Sequence, residues 1–438
     1  MTAPLIFQVR PGGRLSGTVR VPGDKSISHR ALMLGAIAEG TTRIEGFLEG
    51  ADCMATLRAF QSMGVSIEGP EHGRVTVHGV GLHGLRTPSG PVDLGNSGTS
   101  MRLLAGLLAG QRFGVELTGD RSLSRRPMKR VTEPLGSMGA HIETTPEGTA
   151  PLHLAGAATL HGIDYALPVA SAQIKSCILL AGLYARGRTC VTEPAPARDH
   201  TERMLAGLGY PIEVHGRRVC LEGGGRLRGQ DLEIPADLSS AAFFLVGASI
   251  APGSDLVLEG VGINPTRTGV LEILQRMGAD IQIIATRQCG GEPVADLRVR
   301  ARTLRGIRIP PELVPLAIDE FPALFVAAAC AAGETVLTGA QELRVKESDR
   351  IQVMAQGLLA LGVEAQPTPD GIRIRGGALQ GGHVDSQGDH RVAMAFAMAA
   401  LRAAGPVVVD DCRNVETSFP GFVEAAARSG LGIEAAVG

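Results

Sequence analysis

The sequence predicts an α/β fold of two similar domains, each made of three repeated βα units with buried central helices and outer sheets. Two observations lead to this prediction. The chain has 438 residues, too many for one ordinary hydrophobic core, and two sequence markers recur six times in phase. Hydrophobic residues make up 44% of the chain and charged residues 20%, so there is enough apolar material for two cores.

The first marker is a polar residue, a helix of small apolar residues, and a glycine before a strand. Its six copies span 24–40, 96–110, 171–187, 237–253, 319–333 and 389–405. These helices are apolar nearly all round, which predicts that they are buried. The second marker is a glycine that ends an amphipathic helix, which should lie nearer solvent. It recurs at Gly64, Gly139, Gly209, Gly278, Gly362 and Gly432. An ordinary doubly wound α/β protein is the alternative, but the alternation of the two helix types favours helices inside and sheets outside.

The composition argues against several classes of protein. Trp is absent and aromatic residues make up only 3%, which disfavours a stacking platform for single-stranded nucleic acid. A formal net charge of −2 provides no field that attracts nucleic acid or a membrane surface. No apolar run is long enough for a membrane span, and Met1–Pro11 has no signal-peptide pattern. The seven cysteines, with no Cys-x-x-Cys pair, are compatible with a reducing cytoplasm, which is the expected location.

Basic and polar residues gather where the apolar helices begin. The densest segments are 23–30, 121–130 and 342–350. Backbone N–H groups at a helix start attract anions, and Lys and Arg side chains add full charges. Taken alone, each segment also fits a capped helix start or a solvated basic face. Equivalent helix starts in a three-unit domain should face one side, so we expect Asp319 and the triplet 389–391 to join the last segment. A carboxylate among those cations is a candidate for proton transfer.

Several familiar catalytic motifs are missing from the sequence. It contains no Walker loop, no Rossmann glycine motif, no His-Glu-x-x-His and no Gly-x-Ser-x-Gly. Ser26 and His29 would occupy one helical turn with no evident orienting carboxylate, so a nucleophilic triad is rejected. The eleven histidines show no metal-ligand spacing. The sequence therefore predicts neither a cofactor nor a metal ion.

Five motifs in combination resemble one family, 5-enolpyruvylshikimate-3-phosphate synthase, over most of the chain. They are Gly-Asp-Lys-Ser at 23–26, Gly-Asn-Ser-Gly-Thr at 95–99, Arg-Pro-Met at 126–128, Arg-Val-Lys-Glu-Ser-Asp-Arg at 344–350 and Asp-His-Arg at 389–391. The resemblance implies the enolpyruvyl transferase fold, an inside-out α/β barrel in each of two domains. Residues 23–236 would form one domain with repeats 1–3. Residues 1–22 plus 237–438 would form a discontinuous domain with repeats 4–6, and the active site would lie in the cleft between them.

The resemblance also implies a reaction and two sets of binding residues. The enolpyruvyl group of phosphoenolpyruvate would pass to the 5-hydroxyl of shikimate 3-phosphate, with release of phosphate, in aromatic amino acid biosynthesis. The residues implied to bind shikimate 3-phosphate are Lys25, Ser26, Arg30, Ser171, Ala172, Gln173, Arg198, Asp319 and Lys346. Those implied to bind phosphoenolpyruvate are Lys25, Gly98, Arg126, Gln173, Arg350 and Arg391. For catalysis we expect Asp319 as the base at the hydroxyl, and Glu347, helped by Lys25, as the acid/base at C3.

Some positions depart from the best-known bacterial pattern of that family. Ala172 stands where many members have a second Ser, and Leu103 replaces a common Pro. These features resemble a second class that includes glyphosate-tolerant members, whereas Gly98 is usual in sensitive ones. The resemblance therefore leaves the response to glyphosate open. It implies only the two small-molecule substrates as partners, and we expect a monomer.

Two other functions compete with this interpretation. The sister enzyme that transfers enolpyruvyl to UDP-N-acetylglucosamine shares the fold, but it carries a reactive Cys near the basic segment, and residues 111–132 contain none. A non-catalytic protein that binds phosphorylated metabolites is the second alternative. Asp319 and Glu347 beside Lys346 argue against it, because binding alone gains nothing from carboxylates near two anionic ligands.

Overall fold

The computed structural model describes residues 5–156 and 159–437. The predicted domains also contain residues 1–4, 157–158 and 438, which lie outside the described residues. The chain divides into two compact units. Unit 1 comprises the residues up to Pro22, Pro235–Gln288 and the residues from Pro293 onward, and unit 2 comprises Gly23–Ile234 and Cys289–Glu292.

Twelve α-helices occur in the described residues, and two kinds alternate along the chain. The odd-numbered helices are mostly or completely buried: α1 (Lys25–Ile37), α3 (Gly98–Ala109), α5 (Ala172–Gly182), α7 (Leu238–Ile250), α9 (Phe321–Ala329) and α11 (His390–Ala399). The even-numbered helices expose part of their surface: α2 (Ala51–Ser62), α4 (Lys129–Ser137), α6 (His200–Gly207), α8 (Gly269–Arg276), α10 (Arg350–Ala360) and α12 (Phe422–Ser429). Every residue of α7 and α9 is buried, as expected for helices without a polar face.

Side-chain caps fix where most of the buried helices begin. The cap residues expected from the repeats accept a backbone N–H bond at the starts of α1, α5, α7 and α11; they are Asp24, Ser171, Asp237 and Asp389. Such a cap contributes about 1 kcal/mol. The other two helices begin later than the repeat pattern suggests. Ser97 rather than Asn96 caps α3, and Glu320 rather than Asp319 precedes α9. The side chains of Asn96 and Asp319 are bonded to cations instead.

Strands fill the segments between the helices. In chain order they are β1 (Leu5–Val9), β2 (Ser16–Val19), β3 (Glu39–Glu45), β4 (Ser66–Glu71), β5 (Arg74–Val80), β6 (Val92–Asp93), β7 (Val115–Thr118), β8 (Ile142–Glu143), β9 (Leu152–Leu154), β10 (Asp164–Ala166), β11 (Arg188–Thr192), β12 (Glu213–His215), β13 (Arg218–Glu222), β14 (Asp231–Glu233), β15 (Asp255–Gly262), β16 (Asp280–Cys289), β17 (Glu292–Arg300), β18 (Glu334–Leu337), β19 (Glu364–Thr368), β20 (Gly371–Arg375), β21 (Gly382–Asp385), β22 (Val407–Asp410) and β23 (Ile433–Val437).

These strands form three small sheets in each unit, counted over the described residues. In unit 2 the strand orders are β14-β3-β5-β4, β6-β7-β9-β8 and β10-β11-β13-β12. In unit 1 they are β16-β17-β15-β2, β18-β20-β19 and β21-β22-β1-β23. Five of the six sheets combine one parallel pair with antiparallel neighbours, such as β3 parallel to β14 and antiparallel to β5. The repeated units of the sequence thus recur as repeated sheets.

Each unit has its own hydrophobic core, built around its three buried helices. The core of unit 1 includes nearly all of α7, α9 and α11, and the core of unit 2 includes α1, α3 and α5. Small residues let these helices approach closely. A Cβ at Gly106 of α3 would lie only 2.1 Å from the carbonyl oxygen of Cys177 on α5, so only glycine fits there. Helices inside and sheets outside are the predicted architecture, and the fold comparison below confirms it.

Cys190 on β11 and Cys220 on β13 are directly paired in register and form a disulfide. Cysteine counting did not predict this bond, because the two residues are 30 positions apart and meet only through strand pairing. The other five cysteines form no disulfide, and Cys330 is the partly exposed one among them. None of the helices in the described residues has both the length and the apolar composition of a membrane span.

Candidate active site

The start of α1 in unit 2 carries Lys25 and Ser26, two of the predicted binding residues. The ammonium group of Lys25 forms an ion pair with Asp52, a buried residue in the first turn of α2. This carboxylate fixes the direction of the Lys25 side chain. Sequence reasoning missed Asp52, since an acidic residue in the first turn of an amphipathic helix looks like an ordinary favourable helix-end charge.

Arg30 lies one turn further along α1 and is buried. Its Nε donates to Thr201 Oγ1 at 2.7 Å, its Nη2 to Ser176 Oγ at 2.7 Å, and its Nη1 to the Ser26 carbonyl at 2.9 Å. Burial lowers the pKa of Arg30 to about 10, so the group is still cationic at neutral pH. The guanidinium is therefore held rigidly by neutral oxygen atoms from α5, α6 and its own helix.

The start of α3 brings together Gly98 and two arginines. A Cβ built on Gly98 would lie 2.9 Å from Nη1 of Arg102 and 3.0 Å from Nη1 of Arg126. Arg126 is buried, and its Nη2 donates to Asn96 Oδ1 at 2.5 Å. The absence of a side chain at Gly98 thus leaves space that two guanidinium groups face. Arg126 and Gly98 were both predicted to bind phosphoenolpyruvate, whereas Arg102 and Asn96 were given no role.

The start of α5 supplies the next three predicted residues. Ser171 caps the helix through a bond from the Ile174 N–H group, and Ala172 is the first helical residue. Gln173 accepts from Arg102 Nη1 at 2.8 Å and donates to Thr99 Oγ1 at 3.0 Å. Gln173 is therefore oriented by side chains of α3, which links the starts of these two helices.

Arg198 precedes α6 and donates to Ser26 Oγ at 3.5 Å. Contacts at the helix starts thus connect Arg198 to α1, Arg30 to α5 and α6, and Gln173 to α3. The structure brings the seven predicted shikimate 3-phosphate residues of unit 2 to these adjoining helix starts.

His29 on α1 joins the same region through hydroxyl groups. Its Nδ1 lies 2.8 Å from Thr56 Oγ1, which lies 2.6 Å from Ser100 Oγ. Burial lowers the pKa of His29 well below its usual value, and the charges of Lys25 and Arg30 lower it further. A neutral His29 with a threonine as its partner has no carboxylate to orient it as in a nucleophilic triad, and it ties α1 to α2 and α3.

Unit 1 places its predicted residues around one buried arginine. The Asp319 carboxylate lies 3.2 Å from Lys346 Nζ and 3.5 Å from Arg350 Nη1. Arg350 also contacts Glu347 at 2.6 Å through Nη2 and Asp389 at 2.8 Å through Nε. The structure therefore brings the two predicted acid/base groups, Asp319 and Glu347, to the same guanidinium, and Lys346 to the Asp319 carboxylate.

Asp389 is the partner of Arg350 that sequence reasoning missed as a site residue. Both side chains are buried. Burial alone would lower the pKa of Arg350, but the carboxylates of Asp389, Glu347 and Asp319 raise it above its usual range. Burial would raise the pKa of Asp389, and Arg350 reverses this and holds it below its usual value. The pair is thus charged throughout the neutral range, next to Arg391 in the first turn of α11.

A further charged cluster lies in unit 2 at the start of α6. Ligand-type atoms of Asp199, His200 and Glu292 all lie within 4.8 Å of one another. His200 Nδ1 is 2.7 Å from Glu292 Oε1, and Arg203 Nε is 2.9 Å from Asp199 Oδ2. Arg203 supplies positive charge beside the acidic groups, so the cluster is explained as an ion-pair network. The absence of a metal stays a prediction from the sequence.

The fold and these helix starts define a class: a transferase of the enolpyruvyl type, with Lys25, Arg102 and Arg391 in or next to the first turns of buried helices. The family model of "EPSP synthase (3-phosphoshikimate 1-carboxyvinyltransferase)" matches residues 9–425. The chain therefore belongs to the EPSP synthase family. This confirms the resemblance and the enzyme class that were predicted from the sequence motifs.

Relatives and solved structures agree over nearly the whole chain. A 3-phosphoshikimate 1-carboxyvinyltransferase of Methylococcus capsulatus is 68% identical over 430 residues, covering 98% of both chains. One of Alkalilimnicola ehrlichii is 71% identical over 98% of this chain and 96% of its own length. A solved EPSP synthase from Acinetobacter baumannii superposes with a TM-score of 0.89 at 57% identity, covering 99% of this chain and 100% of its own. The predicted fold class is confirmed.

Proposed function

We propose that this protein transfers the enolpyruvyl group of phosphoenolpyruvate to the 5-hydroxyl of shikimate 3-phosphate and releases inorganic phosphate, as a step of aromatic amino acid biosynthesis. Membership of the family and the names of relatives 66–71% identical support this activity. The observation that carries the assignment of residues is the position of Asp319. Its carboxylate, a proton acceptor, lies 3.2 Å from the Lys346 ammonium group, which attracts an anionic substrate.

Shikimate 3-phosphate is assigned mainly to unit 2. Lys25, Ser26, Arg30 and Arg198 offer cations and a hydroxyl for its phosphate and carboxylate, and their mutual contacts support the assignment. Ser171, Ala172 and Gln173 at the start of α5 add backbone and side-chain donors. Asp319 and Lys346 are the contribution of unit 1.

Phosphoenolpyruvate is assigned to the arginines at three helix starts, Arg126, Arg350 and Arg391, together with Lys25 and Gln173. A guanidinium binds phosphate or carboxylate through two parallel hydrogen bonds. The space at Gly98, which faces the Arg126 guanidinium, supports a ligand there.

The chemistry requires proton transfers at two atoms, the 5-hydroxyl oxygen and C3. Asp319 accepts the proton of the 5-hydroxyl as this oxygen attacks C2, while C3 is protonated by Glu347, with Lys25 assisting. The resulting tetrahedral ketal phosphate then loses phosphate, and C3 returns its proton to give the enol ether. Arginines stabilise the phosphate and carboxylate charges along this course. No cofactor enters the proposal, and the cytoplasmic location and monomeric state stay predictions.

The first test is release of inorganic phosphate from phosphoenolpyruvate. We expect release with shikimate 3-phosphate, and none with phosphoenolpyruvate alone or with UDP-N-acetylglucosamine. Release of phosphate with the nucleotide sugar only would overturn the assignment of shikimate 3-phosphate as the acceptor. Failure to release phosphate with either acceptor, despite binding of both substrates in calorimetry, would favour the binding-protein alternative.

The second test addresses the role of Asp319. Asp319→Asn keeps the size of the side chain and removes the base, so kcat should fall by about 10²-fold or more. The affinity for shikimate 3-phosphate should change much less. Glu334→Gln is the matched control, because Glu334 forms an exposed pair with Arg373 at 3.8 Å in the same unit. Near-normal turnover of Asp319→Asn would refute its assignment as the base.

A further inference from the structure

Lys175 is a buried cation on an otherwise apolar helix, and the reaction as proposed above does not use it. It lies two residues after Gln173 on α5, with its side chain 1% exposed. Its Nζ is 2.6 Å from Glu202 Oε1 and 3.0 Å from Glu193 Oε2, and it donates to the Ala197 carbonyl at 3.4 Å. An ammonium group has three protons, and these three oxygen atoms account for them.

The three acceptors belong to one short stretch of chain, residues 193–202. Glu193 directly follows β11, Ala197 lies in the middle, and Glu202 is in the first turn of α6. Residues 193–199 form neither helix nor strand. The ammonium group of Lys175 therefore contacts the beginning, the middle and the end of this segment and holds them together.

The same segment carries the groups assigned to shikimate 3-phosphate. Arg198 follows Ala197 directly and donates to Ser26 Oγ at 3.5 Å. Thr201 precedes Glu202 and accepts from Arg30 Nε at 2.7 Å. Ser176, the neighbour of Lys175 on α5, accepts from Arg30 Nη2 and shares a 2.7 Å hydrogen bond with the Thr201 hydroxyl. Both arginines thus depend on residues that are adjacent to a contact of Lys175.

The charges of the cluster fit this arrangement. One ammonium group faces two buried carboxylates, which leaves one negative charge in excess beside Arg30. Burial raises the pKa of Glu193, and Lys175 opposes the shift. Glu202 is the largest favourable charge acting on the buried Arg30. The excess carboxylate therefore helps to keep a guanidinium charged in a buried place, where an anionic substrate would meet it.

We propose that Lys175 is a positioning residue for shikimate 3-phosphate: its ammonium group holds residues 193–202 so that Arg198 and Arg30 face the phosphate. The inference rests on the proposed function, which assigns those two arginines to this substrate. Lys175 itself is assigned to neither substrate, because its side chain is 1% exposed and its three protons are taken by Glu193, Ala197 and Glu202. Its removal should therefore weaken binding of one substrate selectively, whereas a purely structural ion pair would affect stability alone.

The experiment measures the dissociation constant of shikimate 3-phosphate by calorimetry, both KM values, kcat, and the unfolding midpoint. Lys175→Met should weaken shikimate 3-phosphate binding at least tenfold and change the KM of phosphoenolpyruvate less than threefold. Lys175→Arg, which keeps the charge, should retain most of the affinity. Leu179→Ala is the matched control, because this fully buried residue of the same helix loses packing but carries no charge and no hydrogen-bonding side chain. It should lower the unfolding midpoint and leave the affinity unchanged.

Glu202→Gln is the second variant, and it applies if Lys175→Met fails to fold. The amide still accepts a hydrogen bond from Lys175, and Glu193 still pairs with the ammonium group, so the chain should fold. Binding of shikimate 3-phosphate should weaken about threefold, with the KM of phosphoenolpyruvate unchanged. If Lys175→Met or Glu202→Gln folds and binds shikimate 3-phosphate like the unmodified protein, the inference is overturned.

Arg198→Gln separates this inference from the proposed function. If Arg198→Gln weakens shikimate 3-phosphate binding and the Lys175 and Glu202 variants do not, the assignment of Arg198 stands and the positioning role fails. If Arg198→Gln has no effect but Lys175→Met does, the role of Arg198 fails and positioning through Arg30 remains. Loss of affinity in all of these variants, with Leu179→Ala unaffected, supports both.

Discussion

Replacing Asp389 by Asn is expected to destabilise unit 1 while preserving the start of α11. Asp389 is completely buried, and it accepts from Arg350 Nε at 2.8 Å and from Ser348 Oγ at 3.0 Å. It also caps α11 by accepting from the Arg391 N–H group at 2.9 Å. Asn keeps an oxygen for the cap but removes the charge. The change therefore isolates the ion pair between Asp389 and Arg350.

The magnitude follows from the burial of both partners. Removing one partner of a buried ion pair costs about 3–5 kcal/mol, because the other charge stays buried. Glu347 and Asp319 still compensate Arg350, so we expect a loss at the lower end, about 3 kcal/mol. Asp389→Ala also removes the cap and should cost about 1 kcal/mol more.

The matched control is Asp349→Asn. Asp349 caps α10 and pairs with Arg344 at 2.6 Å, but both side chains of this pair are partly exposed. Exposed pairs contribute less than about 1 kcal/mol, so the control should be nearly neutral. The free energy of unfolding is measured in urea by circular dichroism, since the chain has no Trp and only three Tyr. Equal losses of unfolding free energy for Asp389→Asn and Asp349→Asn would refute the argument that burial makes the ion pair of Asp389 and Arg350 strongly stabilising.

The pH dependence of the same variant gives an independent check. The pKa of Asp389 is held below its usual value in the folded chain. Its contribution to stability is therefore present above the unfolded pKa of about 3.9 and is lost as the pH falls through the folded pKa. The difference between the unmodified protein and Asp389→Asn should be constant near neutrality and shrink only in strong acid.

Two further predictions concern unit 2. Gly98→Ala should raise the KM of phosphoenolpyruvate more than that of shikimate 3-phosphate, because the added Cβ would lie 2.9 Å from Arg102 Nη1 and 3.0 Å from Arg126 Nη1 and would shift both guanidinium groups. Steady-state kinetics with each substrate varied in turn checks this, and equal effects on both KM values would contradict it. The lowered pKa of His29 makes stability fall as the pH drops below about 6.5, since the unfolded chain then binds the proton more readily. Urea unfolding between pH 7 and 5 should show that the free energy of unfolding decreases less with falling pH for His29→Gln than for the unmodified protein. Parallel decreases in the two proteins would contradict the conclusion that His29 is buried and neutral.

The features of the fold that could be predicted from the sequence are those determined by residues close to one another in the chain. A cap acts within three residues and a helix that is apolar all round has only one stable environment, so the six buried helices and the caps Asp24 and Asp237 could be inferred. The α3 and α9 starts differ by a residue because Asn96 and Asp319 are bonded to distant cations. Arg126 lies 30 residues beyond Asn96, and Lys346 lies beyond the whole of α9, so neither partner falls within a local window.

The parts of the site that sequence missed depend on pairing between distant segments. The motif at 389–391 includes Asp389, but the resemblance gave this residue no role and did not reveal its ion pair with Arg350, 39 residues away. The sequence analysis gave Lys175 no role, and its single charge in α5 was the only local sign of a buried network. Glu193 and Glu202 gave no such sign, because acidic residues beside a helix start are common on protein surfaces.

The close approach of α3 and α5 at Gly106 has a consequence for how this chain can diverge or be redesigned. With 2.1 Å between a hypothetical Cβ and the Cys177 carbonyl, α3 cannot accept a larger residue there without separating from α5. The two first turns, which hold Gly98 and Gln173, are thereby kept at a fixed spacing. We therefore expect variation in ligand preference at the first turns of these helices, which are half-buried or buried, rather than at the helix crossing. A library of variants randomised at those first turns, with Gly106 unchanged, would sample new ligand specificities while α3 and α5 keep their packing.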